Sequence, residues 1–161
     1  MNSLTILGST GSIGLSALRV VRSAPERFKV FGLACNRNLE MLSKQIDEFK
    51  PAVVAIGDET VHESELVMLL RAKFPSVEFL FGEEGIIDLA SRRCDIVLSS
   101  IVGGAGLRPS LAALDGCRRL ALANKETLVM AGDLFMKLAE EKGVELIPVD
   151  SEHSAIFMLM K

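Results

Sequence analysis

Short apolar runs alternate with longer stretches whose apolar residues recur at helical spacing. Residues 3–8 (SLTILG), 29–35 (KVFGLAC), 52–57 (AVVAIG), 77–81 (VEFLF), 95–100 (DIVLSS), 119–124 (RLALAN) and 144–150 (VELIPVD) read as strands. Between them, 11–22 carries Ile13, Ala17, Leu18 and Val21 on one face, and 39–49 carries Leu42, Ile46 and Phe49. Further helices are expected over 62–74, near 84–92, and over 127–142. Several strands are apolar throughout, as required when helices cover both faces of a sheet. The alternation predicts βαβ units and one α/β fold: a doubly wound, Rossmann-like, mostly parallel sheet with helices on both faces. Residues 1–150 are expected to form that domain and 151–161 to begin another.

Composition narrows the function. The 161 residues are 49% apolar and 24% charged with net charge −3, an ordinary globular balance that argues against a nucleic-acid partner. No apolar run approaches the ~20 residues that span a bilayer. The amino terminus lacks the basic and apolar regions of a secretory signal. A cytoplasmic protein with no membrane partner is expected. Cys35, Cys94 and Cys117 are far apart, with no CxxC, which suits buried reduced thiols better than disulfides or zinc.

Gly8, Gly11 and Gly14 form a GxxGxxG pattern directly after the first strand and opening the first helix. Glycine admits an anion close to backbone N–H groups, and a helix amino terminus adds partial positive charge. In this context the pattern is a dinucleotide fingerprint; a tight turn without ligand is the alternative. After strand two, where NAD proteins usually carry an acid, stand Asn36, Arg37 and Asn38. A guanidinium flanked by amides suits a 2′-phosphate, so NADPH is expected over NADH. A second glycine-rich stretch, 99–107, follows strand five and lies at the carboxyl edge of the sheet, either lining a nicotinamide pocket or simply turning.

Asn124, Lys125 and Glu126 reach the same edge after strand six, and Asp150, Ser151, Glu152 and His153 after strand seven. Lys can bind an anionic substrate. Asp150 and Glu152 alternate along an extended segment, so their hard oxygens suit Mg²⁺ or Mn²⁺. The competing reading is a helix start capped by Asp150 or Ser151 with Glu152 in its first turn. His153 alone reads as structural or outer-sphere, and His62 as a surface residue.

Together, GSTGSIG, ALANKE and PVDSEHSAIF, in this order and spacing, resemble the N-terminal part of 1-deoxy-D-xylulose 5-phosphate reductoisomerases over essentially all 161 residues. That family makes 2-C-methyl-D-erythritol 4-phosphate in non-mevalonate isoprenoid synthesis. The resemblance implies that Thr10, Gly11, Ser12, Ile13, Asn36, Arg37, Asn38, Asn124 and Glu126 bind NADPH. It implies that Lys125, Ser151 and Glu152 contact a phosphorylated sugar substrate, and that Asp150 and Glu152 hold the divalent ion. Lys125, Asp150 and Glu152 would then be the catalytic set. The family commonly has a Gly-Lys-Asn-like stretch at 36–38; Arg37 keeps the charge, whereas Asn36 departs. Family members are much longer homodimers, so a third carboxylate ligand and the substrate-phosphate pocket are expected from chain beyond these residues.

Other readings remain open. Short-chain dehydrogenases use a Tyr–Lys pair, and this chain has no Tyr. The N-domain of a semialdehyde-dehydrogenase-type enzyme would also bind NADP. A pure NADPH-binding module would bind without turnover.

Overall fold

The computed structural model describes residues 1–149, apart from the side chains of Lys125 and Leu128. Among these, seven strands form a single sheet: β1 (Asn2–Leu7), β2 (Phe28–Cys35), β3 (Val53–Ile56), β4 (Glu78–Phe81), β5 (Cys94–Ser99), β6 (Cys117–Leu122) and β7 (Glu145–Pro148). Their spatial order is β4-β3-β2-β1-β5-β6-β7, and each neighbouring pair is parallel. The helices are α1 (Ser12–Ser23), α2 (Leu39–Phe49), α3 (Glu65–Lys73), α4 (Gly82–Ser91), α5 (Leu107–Gly116) and α6 (Lys125–Glu141). The doubly wound Rossmann-like fold expected from the alternation is the fold observed.

Strand side chains alternate between two cores, because successive residues of a strand face opposite ways. Leu4, Ile6, Leu33, Cys35, Val54, Ile56 and Leu98 pack with Leu18, Val21, Leu42, Ile46, Val67 and Leu70 of α1, α2 and α3. Leu7, Ala34, Val53, Ala55 and Val97 pack with Leu89, Ala113, Phe135 and Ala139 of α4, α5 and α6. The chain therefore changes face between β4 and β5. The strand order reverses at the same step, which puts the topological switch between β1 and β5. Ligands of such sheets bind at the carboxyl edge at this point.

Several elements differ from expectation. Helix α5 lies just beyond the glycine-rich stretch 99–107, where no element is expected; its Pro109 sits in the first turn, where a missing N–H costs no intrahelical bond. The helix expected over 62–74 begins at Glu65, because the Ser64 hydroxyl caps the Val67 N–H (3.3 Å) and a 3₁₀ turn, Glu59–Val61, precedes it. His62 follows that turn, exposed, with its ring edge-on to Phe81. Helix α6 begins two residues early, capped by Asn124, and kinks at Ala131. Strand β7 closes at Pro148, short of the expected 150.

Candidate functional site

The glycine turn sits at the switch point. Gly8 has φ +92°, and a Cβ there would lie 2.9 Å from the carbonyl oxygen of Ser100. A Cβ on Gly14 would lie 2.4 Å from the Gly8 carbonyl oxygen. The first position needs a left-handed backbone and the second a close helix–turn approach, so only glycine fits either. The turn is anchored below: Gly8 and Ser9 both donate their N–H to the Ala34 carbonyl, at 3.0 and 2.7 Å. Ser100 N–H and Oγ both donate to the Leu7 carbonyl, at 2.9 and 2.7 Å.

Gly11 is the N-cap of α1 and supplies no side-chain cap. The first N–H groups of a helix have no intrahelical acceptor, so this edge presents donors and the positive end of the helix dipole to an incoming anion. Thr10 and Ile13 are half-buried, while Gly11 and Ser12 are exposed. Four expected residues thus share one turn with the geometry of an anion cradle.

Gln45 was not singled out by sequence reasoning. It is 2% exposed, accepts from Ser9 Oγ (2.7 Å) and donates to the Ser9 carbonyl (2.9 Å). This reciprocal pair ties the glycine turn to α2. Its sequence signal was a polar side chain on the apolar face of α2.

Asn36, Arg37 and Asn38 are exposed at the end of β2. Asn38 caps α2, its Oδ1 accepting from the Met41 N–H (3.0 Å). The acid missing from this stretch arrives from elsewhere. Asp58, at the end of β3, accepts from Arg37 Nε at 2.9 Å. The Thr60 hydroxyl and N–H, and then the Arg37 charge, hold the Asp58 carboxyl below the usual carboxylate range. The carboxyl end of β2 therefore carries an ion pair, where the sequence around β2 alone showed a free cation.

Across the switch, the stretch 99–107 forms a 3₁₀ turn, Gly103–Gly106, leading into α5. Asn124 organises it. Its Nδ2 donates to the carbonyls of Ile101 (2.7 Å) and Gly103 (3.0 Å), and its Oδ1 accepts from the Thr127 N–H (3.3 Å). At 2% exposure, this side chain shapes the loop and caps α6. Glu126 is exposed one residue into α6. Lys125 opens α6, its side chain outside the description; Asp150, Ser151, Glu152 and His153 lie outside the described residues.

All three cysteines are buried. Burial pushes the thiols of Cys35 and Cys117 up to about 12 and raises that of Cys94, so none is poised as a nucleophile. Among the described residues, no His, Cys, Asp or Glu cluster converges as a metal site, and no helix is long and apolar enough to cross a membrane. A hollow of about 680 Å³ lies at the opposite, amino edge of the sheet. Four of its five charged side chains already pair with one another: Asp95 accepts from Ser3 and pairs with Arg118, and Lys142 pairs with Asp115. The chemistry of the carboxyl edge, not the size of that hollow, locates the site.

The family model described as 1-deoxy-D-xylulose 5-phosphate reductoisomerase matches residues 4–132. The protein of that description from Chlorobaculum tepidum is 52% identical over 158 residues, covering 98% of this chain and 41% of the relative. The fold superposes on a reductoisomerase from Zymomonas mobilis in complex with NADPH, with TM-score 0.90 and 37% identity, over 98% of this chain and 41% of that one. It superposes equally on a DOX-P reductoisomerase in complex with magnesium: TM-score 0.91 and 39% identity, over 98% of this chain and 39% of the other. The chain thus spans about two fifths of the length of the proteins it matches.

Proposed function

Starting from the chain's membership of the 1-deoxy-D-xylulose 5-phosphate reductoisomerase family, we propose that residues 1–150 are the NADPH-binding domain of this reductoisomerase and that 151–161 begin the catalytic part. The observation that carries this is the glycine turn at the switch point, built so that a Cβ fits at neither Gly8 nor Gly14. It receives the cofactor's pyrophosphate on the N–H groups of Ser12 and Ile13, with the Thr10 hydroxyl and Gly11, whose own N–H donates to the Gly8 carbonyl (3.1 Å), beside them. Arg37, flanked by Asn36 and Asn38, receives the 2′-phosphate. Asn124 holds the 101–103 loop in shape, and Glu126 faces the cofactor.

Lys125 binds the phosphorylated sugar substrate, Ser151 and Glu152 contact it, and Asp150 and Glu152 hold Mg²⁺ or Mn²⁺. When bound, NADPH supplies hydride to a carbonyl carbon and the divalent ion acts as Lewis acid and template. The protein's part is to orient both and to fix the substrate's anionic groups. On this reading the family-length dimer converts 1-deoxy-D-xylulose 5-phosphate to 2-C-methyl-D-erythritol 4-phosphate. The 161 residues alone bind cofactor without turnover, since their relatives spread the reaction over more than twice the chain.

The test is a parallel titration of the 161-residue protein with NADPH and NADH. NADPH is expected to bind more tightly, and equal affinities would refute the assignment. Substrate-dependent NADPH consumption by the pure chain would refute the division of labour.

A further inference from the structure

The ion pair at the adenosine end has a consequence for cofactor choice that the glycine pattern does not contain. Asp58 reaches Arg37 because β2 and β3 pair in parallel, with Cys35 opposite Ile56. Beyond the ladder, the Gly57 N–H donates to the Cys35 carbonyl (2.8 Å) and the Asp58 N–H to the Asn36 carbonyl (3.2 Å). The two strand ends are therefore stitched together, and Asp58 is brought to the residues proposed to receive the 2′-phosphate.

Its two oxygens do separate work. Oδ1 accepts from the Thr60 N–H (2.9 Å) and Thr60 Oγ1 (2.6 Å), capping the 3₁₀ turn. Oδ2 takes Arg37 Nε at 2.9 Å. The Asp58 side chain is 10% exposed and fixed; that of Arg37 is 76% exposed. An ion pair so exposed on one side is weak and is readily exchanged for a stronger anion.

We infer that Asp58 is a second specificity determinant of this pocket, a fixed carboxylate that competes with the cofactor's 2′-phosphate for Arg37. The inference rests on the NADPH reading of Arg37. With Arg37 present, the carboxylate is neutralised and a 2′-phosphate is admitted. Without it, the same carboxylate stands uncompensated beside the phosphate and repels it, while a ribose hydroxyl can donate to it. Asp58 therefore does from β3 what the acid after β2 does in NAD proteins, held in check by one guanidinium.

The experiment compares the unmodified 161-residue chain with Asp58→Asn, Arg37→Ala and the double variant, each titrated with NADPH and NADH. In Asp58→Asn the side-chain carbonyl keeps the Thr60 cap, while an amide nitrogen at the Oδ2 position cannot accept from Arg37. NADPH is expected to bind about two- to fivefold more tightly, the range an exposed ion pair supports, with NADH unchanged. The gain shrinks as salt screens the charges. The double variant is expected to bind NADPH more tightly than Arg37→Ala alone. Asp58→Ser removes the charge, retains a capping oxygen, and is expected to show the same gain should Asn disturb the turn. Unchanged or weaker NADPH binding in the Asp58 variants overturns the inference while leaving the NADPH reading intact. An Arg37→Ala variant that keeps the parent's cofactor preference overturns the NADPH reading itself.

Discussion

Asn124 offers the sharpest test of how the carboxyl edge is held. Replacing it with Ala removes two donors from the Ile101 and Gly103 carbonyls and the cap on the Thr127 N–H. Each donated bond contributes about 0.5–1.5 kcal/mol, and the cap about 1 kcal/mol. Asn124→Ala should therefore lose about 2–4 kcal/mol, a large part of the ~5–15 kcal/mol that holds a domain folded. Gly106 tests the same contact from the other side. A Cβ there would stand 2.2 Å from Asn124 Nδ2, so Gly106→Ala evicts the amide and should cost a similar amount. Because both changes break one set of bonds, the double variant should be little worse than either single, a coupling of about 2–4 kcal/mol, at or above the upper end for residues in contact. Urea unfolding measures all four proteins, provided the slope with denaturant stays constant. A loss below about 1 kcal/mol for Asn124→Ala would refute the reasoning, as would simple additivity of the two changes.

Gly14→Ala should abolish NADPH binding and cost about 1–3 kcal/mol by overpacking the turn; wild-type cofactor affinity in that variant would contradict the close approach to Gly8. The folded thiols of Cys35 and Cys117 hold their protons to about 12, whereas an unfolded thiol ionises near 9.0. The unfolded chain therefore releases protons first, so stability should be full below about pH 9 and fall as pH rises toward 12. Denaturation followed across that range checks this, and Cys35→Ala should flatten the decline. Asp150→Asn retains an oxygen able to cap a helix and removes the charge proposed to hold the divalent ion. In a family-length protein it should leave folding and NADPH affinity near normal and abolish metal-dependent turnover; normal turnover would favour the cap.

The doubly wound sheet was legible because fully apolar strands and amphipathic helices carry different periods. Helix α5 was not, because Gly103, Gly104, Gly106 and Pro109 make its approach and first turn read as loop. Its buried face, Ser110, Ala113 and Leu114, is too short to show a helical period. The early start of α6 was hidden in Asn124, whose capping role depends on which backbone N–H it meets. Gly8 and Gly14 announced the turn, since their spacing is local. Asp58 gave no signal as a site residue, and Gln45 only that of a polar side chain on an apolar helix face, because each acts across sequence separations that only strand pairing or helix packing closes. No local pattern joins Asp58 to Arg37, or Gln45 to Ser9.

The Ser9–Gln45 pair has a metrical consequence. Gln45 rides on α2, and the N-cap of α2 is Asn38, beside Arg37. On the NADPH reading proposed above, the turn that meets the pyrophosphate and the loop that meets the 2′-phosphate are two jaws of a caliper, its span set by one buried amide and one helix. A cofactor is gauged by the distance between its phosphates as well as by their charge. Gln45→Leu would loosen the jaws without removing a single ligand contact, and NADPH would then be read with less discrimination although every residue that touches it remained in place.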